Sequence, residues 1–443
     1  MSTSFRIGAG AGFSNDRLDA ALQLVRAGDI DTLTLEVLAE RTLALQHIAR
    51  RAGRVGYWPH AGKALAELLP ICLPRGISIT SNLGGADPRA ATACVHDVVA
   101  QAGLPAVPVG TVTGSNVHPI IRDLDPVLLE TGQRLGTLRA DLIAADVYLG
   151  ADGIRLALEQ GARVVVTGRV TDSALALGAC AHALRWAPDD WDRYAAGVVA
   201  GHLSECAAQI TGGYFADPPL KPVDGLAEAG FPIIEISADG AILVRKPAGS
   251  GGRLDRRTVI EQLLYETHDP SAYLTPDATV DLTEVEVAET PEGVRITGVR
   301  GRQPPPTLKV LIAVDNGLAV EGGISYAGIN AVRRARMAGD ILRQRFGKLG
   351  IPAADCAFDI IGMNSIFVAD TARPAPVEAR LHIGLRLDSD RLLADVQTEI
   401  EGLYTNGPAG GGGARCHAQS SLRLYSALID RHAVRAETTL SQR

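Results

Sequence analysis

The sequence predicts an α/β fold with a doubly wound, mostly parallel sheet and Gly-rich strand-end loops, followed by a smaller α+β domain. Hydrophobic residues make up 46% of the 443 residues and aromatic residues only 4%, and the 48 glycines favour tight turns between strands and helices. Short apolar runs alternate with helical segments in the first half of the chain, which is typical of parallel sheets. The second half contains alternating strands, which indicate antiparallel pairing.

Five apolar strands are predicted in the first half, at FRIGAGAG and at 32–35, 77–81, 107–112 and 163–167. Each strand is followed by a polar or glycine-rich turn and then a helix. The carboxyl ends of parallel strands meet at one edge of a sheet, so we expect these turns to line a common crevice. The turn residues are Gly10, Gly12, Asn15, Asn82, Asp87, Asn116, Arg169 and Asp172.

The stretch 163–214 holds the strongest candidates for catalysis. Arg169 and Asp172 follow the fifth strand, where an arginine and backbone amides would hold a carboxylate or carbonyl. His202, Glu205 and Cys206 have the spacing that places side chains on one helix face. His202 with Glu205 or Asp172 would move a proton near neutral pH. The alternatives are a half-buried helix face with a satisfied histidine, and a helix cap for Asp172.

Three further features carry weaker predictions. Glu36 and Glu40 follow the second strand and would face the crevice, although Glu40 equally suits a surface ion pair on its helix. Lys309 stands alone in an apolar strand, where a lysine reaches solvent or holds an anionic substrate. The four consecutive glycines at 410–413 predict a close approach to a ligand or to another backbone, which makes Gly411 and Gly412 candidate substrate-binding positions.

Composition narrows the class of protein. The formal net charge is −7 and there is no basic run, which argues against a nucleic-acid partner. No apolar run approaches the roughly 20 residues of a membrane span, and the N-terminus lacks signal-peptide features, so we expect a cytoplasmic protein without a membrane partner. The six cysteines are scattered without a CxxC pair. Whether Cys206 or Cys416 is reactive stays open.

The sequence pattern changes between about 215 and 230, where proline-rich segments replace the alternation of strands and helices. We therefore predict two domains, an α/β domain over 1–220 that contains the crevice and an α+β domain over 221–443. The second domain ends in the glycine-rich loop and a final strand. The Ala- and Gly-rich helices and a basic helix at 327–346 suit a homo-oligomer.

Several ordered motifs, including IGAGAGFSNDR, VVVTGRVTDSALALG, GHLSECAAQITGGYF and YTNGPAGGGGAR, resemble the acyclic terpene utilisation (AtuA) family across nearly the whole chain. The resemblance implies degradation of acyclic terpenoids through branched carboxylic acid or acyl-CoA intermediates. One departure is Asp87, where the family pattern has asparagine. Arg169, Asp172, His202, Glu205 and the glycine loop fall inside the recurring motifs.

The leading hypothesis is a catabolic enzyme that acts on a branched carboxylate or acyl-CoA intermediate by lyase or hydratase chemistry. The catalytic set is His202, Glu205 and Asp172, with a small-molecule substrate of which coenzyme A would be a part. A metal-dependent hydrolase with Asp172, His202 and Glu205 as ligands of a divalent ion is the second hypothesis. The third is a non-catalytic accessory subunit of a catabolic carboxylase or transferase, because no unambiguous nucleophile is present.

Overall fold

The structure is a computed structural model that describes residues 4–27, 29–366 and 376–443. Within these ranges the strands are β1 (Ser4–Ala11), β2 (Thr32–Leu35), β3 (Ser78–Ser81), β4 (Pro108–Thr113), β5 (Leu142–Val147), β6 (Val164–Thr167), β7 (Ile233–Ser237), β8 (Ile242–Arg245), β9 (Tyr273–Leu274), β10 (Thr279–Asp281), β11 (Glu286–Thr290), β12 (Gly293–Thr297), β13 (Arg300–Arg302), β14 (Thr307–Ala327), β15 (Cys356–Ile361), β16 (Glu378–Leu387), β17 (Gly412–Asp430) and β18 (Glu437–Gln442). The α-helices in the same ranges are α1 (Leu18–Ala27), α2 (Glu40–Arg51), α3 (Ala61–Cys72), α4 (Pro88–Gln101), α5 (Ile121–Leu124), α6 (Asp152–Glu159), α7 (Ala174–Leu184), α8 (Trp191–Glu205), α9 (Arg256–Leu264), α10 (Ala331–Lys348) and α11 (Leu393–Asn406).

The largest sheet runs in the order β11-β12-β8-β7-β1-β2-β3-β6-β4-β18. The five predicted strands form its centre, and all of their mutual pairings are parallel. The strands outside this centre pair antiparallel. The α/β class is thus confirmed, but the prediction of a mostly parallel, doubly wound sheet is not, because antiparallel strands extend the parallel centre on both sides.

Burial explains why the central strands form. Every residue of β2 (TLTL) and β6 (VVVT) is buried, which requires packing on both faces of the sheet. Two groups of helices provide it. In the first group, α1 and α4 contact the central strands and α3 contacts both of these helices. In the second group, α6, α7 and α8 each contact the central strands, and α7 contacts both α6 and α8. Since β6 lies between β3 and β4, the turn that follows β6 emerges in the middle of the parallel strands.

The chain divides into two compact units, residues 1–313 with 424–443, and residues 314–423. This division does not coincide with the predicted boundary at 220. The reason is that β7, β8, β12 and β11 continue the main sheet beyond β1, and β18 pairs with β4 at its other end. Proline-rich segments replace the strand–helix alternation near residue 220, but the main sheet continues beyond this point.

The second unit contains its own core. Its sheet has the order β15-β16-β14-β17, and β16 pairs antiparallel with both β14 and β15. Apolar residues of α10 and α11, among them Leu342, Phe346 and Ile400, pack in this core. In the described ranges, no helix is both long and apolar enough to cross a membrane.

Gly12, in the turn after β1, packs against the backbone of Cys206 at the end of α8. A Cβ atom at Gly12 would lie 2.7 Å from the backbone carbon of Cys206, whereas one at Gly347 in α10 would meet nothing within 4 Å. We expect Gly12→Ala to lower the free energy of unfolding by about 1–3 kcal/mol through overpacking. The control Gly347→Ala should raise it by about 0.5–1 kcal/mol. Chemical denaturation measures both, and a Gly12→Ala variant as stable as the parent would contradict the close packing.

Candidate active site

A cavity of about 240 Å³ in the first unit collects the titratable groups that follow the central strands. Carboxylates of Glu40, Asp172, Glu205 and Glu266 line it. Tyr148, Tyr273 and Lys309 line it as well, and its remaining wall is largely apolar. The combination of a concave pocket with clustered acids and phenols is typical of an active site.

Arg169 lies beneath this cavity, with only 1% of its side chain exposed. Its Nε donates to the Val170 carbonyl at 2.7 Å, Nη1 donates to the Leu38 carbonyl, and Nη2 donates to the Asp172 carboxylate. The guanidinium carbon also lies 4.5 Å from the centre of the Tyr148 ring. Arg169 was predicted to bind substrate, but here its guanidinium organises the cavity floor.

Asp172 points from this floor into the cavity. Helix α7 begins at Ala174, so Asp172 belongs to the preceding turn, and its carboxylate pairs with Arg169. The side chain is 37% exposed, and it lines the cavity. Burial raises the pKa of Asp172 well above its ordinary value, the positive charge of Arg169 opposes this, and Glu36 and Glu205 add to the rise. The protonated form of Asp172 is therefore favoured more than in an ordinary aspartate.

Glu36 and Asn82 hold the loop after β2 in place. The Glu36 carboxylate accepts hydrogen bonds from Asn82 Nδ2 at 2.8 Å and from the Leu38 amide at 2.9 Å. Asn82 is fully buried, and its Oδ1 accepts from the Val37 amide at 2.8 Å. Burial raises the pKa of Glu36, although Arg169 and Asn82 oppose the rise. The Asn82 side chain supports the loop that supplies the Leu38 carbonyl to Arg169.

His202 and Glu205 form a pair at the end of α8. Their i, i+3 spacing brings His202 Nδ1 to 2.8 Å from Glu205 Oε1, with 2% and 11% of the two side chains exposed. Burial disfavours the imidazolium, but the charge and hydrogen bond of Glu205 outweigh this and raise the pKa of His202. Only Glu205 lines the cavity, so His202 acts on the site through Glu205.

Two tyrosines complete the polar wall. The Tyr148 hydroxyl donates to Glu40, and the Tyr273 ring lies 5.5 Å from the His202 ring between centroids. Burial raises the pKa of both phenols well above their ordinary value, and nearby carboxylates add to the rise. Both hydroxyls therefore stay protonated. The Tyr148 hydroxyl donates to Glu40, and the Tyr273 hydroxyl is available as a hydrogen-bond donor.

Glu40 and Lys309 meet at Tyr148. Strand β5 brings Tyr148 beside β14, where the Tyr148 amide donates to the Lys309 carbonyl at 2.9 Å. The Lys309 ammonium lies 3.8 Å from Glu40 Oε1 and 4.8 Å from the centre of the Tyr148 ring. Burial alone would raise the pKa of Glu40, but the Tyr148 hydrogen bond and the charges of Arg169 and Lys309 contribute to a net lowering. Glu40 thus faces the cavity and is no surface pair of its helix.

Other predicted turn residues lie away from this cavity. Asp87 caps α4 by accepting from the Ala90 amide at 3.2 Å, and Asn116 accepts from the His118 amide at 3.0 Å. Gly10 and Asn15 line a second cavity of about 290 Å³ with Trp58, His60 and Lys63. Gly12 packs on Cys206, as described above.

Gly411 and Gly412 belong to the second unit, at the start of β17. A Cβ atom at Gly411 would lie 2.8 Å from the Ile324 side chain and 3.2 Å from the Tyr326 ring. This glycine therefore serves close packing within its own unit. The burial of Cys206 raises the pKa of its thiol, as partial burial does for Cys416, so neither thiolate is favoured.

Sequence reasoning did not single out Tyr148, Tyr273 or Glu266. Tyr148 ends up at the site because β5 pairs with β14, and Tyr273 because β9 joins a small sheet in the order β13-β10-β9. Only long-range pairing brings these residues to Asp172. A sequence signal for two of them was available, because the stretch TVIEQLLYETHDPSAYLTPD, which also resembles the AtuA family, contains Glu266 and Tyr273.

A divalent metal was one hypothesis for Asp172, His202 and Glu205. The described parts of the chain contain no group of three or more His, Cys, Asp or Glu side chains arranged to hold a metal ion. His202 Nδ1 is engaged by Glu205, and Nε2 is buried without a partner. These three residues do not fit a metal centre, and we derive no step through one.

The chain was compared with known protein families and proteins over its whole length. Residues 5–440 match the family model described as acyclic terpene utilisation family protein AtuA. The chain belongs to this AtuA family. No curated protein and no solved structure matched it. Family membership confirms the resemblance seen in the motifs, and the matched range includes every residue of the cavity.

Removing Arg169 tests the floor of the cavity. We expect Arg169→Met to lower the free energy of unfolding by about 3–5 kcal/mol near pH 7.5, because it leaves buried carboxylates without their cation. The loss should shrink near pH 5.5. The raised pKa values of Asp172 and Glu36 rise further without Arg169, and a carboxyl with a raised folded pKa destabilises the fold as pH rises above its unfolded value.

The matched control for this variant is Arg193→Met, which breaks an exposed ion pair with Asp190. It should change the free energy of unfolding by at most about 1 kcal/mol, with little dependence on pH. Equal losses in the two variants at both pH values would contradict the role assigned to Arg169.

Proposed function

We propose that this AtuA family protein is a lyase or hydratase that acts by acid/base catalysis on a branched carboxylate or acyl-CoA intermediate of acyclic terpenoid breakdown. The family description supports the substrate context. The supporting observation for the chemistry is that Asp172 and Glu205 line one cavity in contrasting environments. A pair of carboxyl groups in different environments is the usual basis for separate acid and base roles.

Asp172 is assigned the acid. Its pKa is raised by burial and by neighbouring carboxylates, so it holds a proton that a leaving or entering oxygen can accept or return. Arg169 fixes the carboxyl orientation from below through the hydrogen bond to Oδ1. After proton donation, the same guanidinium stabilises the carboxylate that remains.

Glu205 is assigned the base. It reaches the cavity with a small exposed fraction, and His202 behind it supplies a hydrogen bond and a positive charge. This partner holds the Glu205 carboxylate in place through the hydrogen bond to Oε1. Glu205 would remove the proton from the carbon next to a carbonyl or carboxylate, and Tyr273 would donate to the oxygen on which negative charge develops.

The proposed dehydration removes one water molecule from a 3-hydroxy compound and needs one base and one acid. The C–H electron pair forms the new C=C bond, the C–O bond breaks, Glu205 takes the carbon-bound proton, and Asp172 gives its proton to the departing hydroxyl to form water. Hydration is the reverse sequence. No oxidant or external nucleophile other than water is needed, which fits a cavity whose reactive groups are carboxyls and phenols.

Asp172→Asn and Glu205→Gln test this assignment directly. With branched 3-hydroxyacyl and 2-enoyl substrates, as free acids and as CoA thioesters, each variant should lose about 10²–10⁴-fold in kcat. Glu67→Gln changes an exposed acid on α3 and is the control, with activity unchanged. Full turnover in either cavity variant would remove that residue from the mechanism.

His202 is a positioning residue in this scheme, so its test uses the pH profile. His202→Asn keeps a hydrogen-bond donor for Glu205 but removes the positive charge. We expect the acidic limb of kcat/KM to move to higher pH, because the lost charge no longer favours ionised carboxylates. Full activity with an unchanged pH profile in both His202→Asn and His202→Ala would exclude His202 from the mechanism.

A further inference from the structure

We infer that Lys309 binds the carboxylate of a free acid substrate, whose branched apolar chain leaves the cavity across Leu274 and Leu428. This inference rests on the proposed function and narrows it, since the substrate class becomes a carboxylic acid and not its coenzyme A thioester. The carboxylate and the chain are held by different side chains of one cavity. The reacting carbon is then placed in the same cavity as Asp172 and Glu205.

Lys309 has an ammonium group with unused donors. Its only contacts with described residues are the Glu40 carboxylate at 3.8 Å, too long for a hydrogen bond, and the Tyr148 ring at 4.8 Å. Nζ donates no hydrogen bond to the part of the chain that the structure describes, and 45% of the side chain is exposed. Strand β14 and the Tyr148 ring fix its position, while its N–H groups remain available to an incoming anion.

Two carboxyl groups of the cavity already have close partners. Asp172 contacts Arg169, and Glu205 contacts His202. Among the described residues that line the cavity, Lys309 is the single cationic side chain. A substrate carboxylate entering this cavity therefore finds one cation whose N–H groups donate no hydrogen bond to described residues, and charge-assisted hydrogen bonds to such a cation are the strong kind.

Part of the cavity lining is apolar. Its apolar residues are Leu274, Pro276, Pro305, Leu308 and Leu428. Leu308 is buried, whereas Leu274 and Leu428 are 61% and 48% exposed at the rim. Exposed leucines that continue a cavity wall would gain from covering by a hydrocarbon chain, at roughly 25 cal/mol per Å² of apolar surface removed from water. An extended branched chain has the matching chemistry.

Coenzyme A fits this mouth less well. Its phosphates would need several cations or oriented backbone amides close to the opening. The described lining offers Lys309 alone, together with the acidic side chains of Glu40 and Glu266. The charge distribution thus favours one carboxylate at Lys309 and disfavours a polyanionic carrier at the entrance.

Calorimetric titration tests the inference without turnover. The probes are 3-methyloctanoate, its methyl ester and its CoA thioester. The parent protein should bind the acid at least about tenfold more tightly than either derivative. Lys309→Met should abolish the preference for the acid over the ester, and Lys309→Arg should retain it. Replacing both Leu274 and Leu428 by Ser should weaken the binding of the acid and of the ester by the same factor.

Lys63→Met is the matched control, because Lys63 lines the second cavity. The Lys63→Met variant should bind the acid, the ester and the thioester with the same affinities as the parent protein. Loss of acid binding in Lys63→Met with none in Lys309→Met would overturn the inference, as would a parent protein that fails to bind the acid or binds acid and ester equally. Asp172→Asn should still bind the acid while losing turnover, so failure of the catalytic assignment is distinguishable from failure of the carboxylate site.

Discussion

The candidate site depends on the hydrogen bonds of one buried group, the guanidinium of Arg169. It joins the loop after β2, through the Leu38 carbonyl, to the turn after β6, through Val170 and Asp172. A buried cation is tolerated only when its donors are satisfied and its charge is compensated. The surrounding carboxyls provide this compensation, so the cavity floor and its proton-holding acid are consequences of one buried charge.

The sequence predicted the centre of the sheet well. The uninterrupted β-branched run 164–167 indicates burial on both faces, and it is a central parallel strand. It did not predict that β7 and β8 continue that sheet antiparallel, because no local periodicity states which distant strand a segment will join. The misplaced boundary near 220 has the same cause, since proline-rich connections precede β7 within one unit.

Short-range rules indicated several residues that line or support the candidate cavity. Strand-end position indicated Asp172, helical spacing indicated the His202–Glu205 pair, and a lone charge on an apolar strand indicated Lys309. The role of Arg169 was not predictable, because a sequence does not show that a guanidinium is enclosed. Tyr148 and Tyr273 were missed for a related reason, since β5 and β9 reach the cavity only through pairing with remote strands.

The central claim is that the cavity above Arg169 is where substrate binds and reacts. A crystal structure of the protein with a bound branched carboxylic acid tests it most directly. The account predicts density for the carboxylate at Lys309, the chain across Leu274 and Leu428, and the adjoining carbons beside Asp172 and Glu205. Density for the acid in the second cavity, between Gly10, Trp58 and Lys63, with the cavity above Arg169 empty, would contradict it.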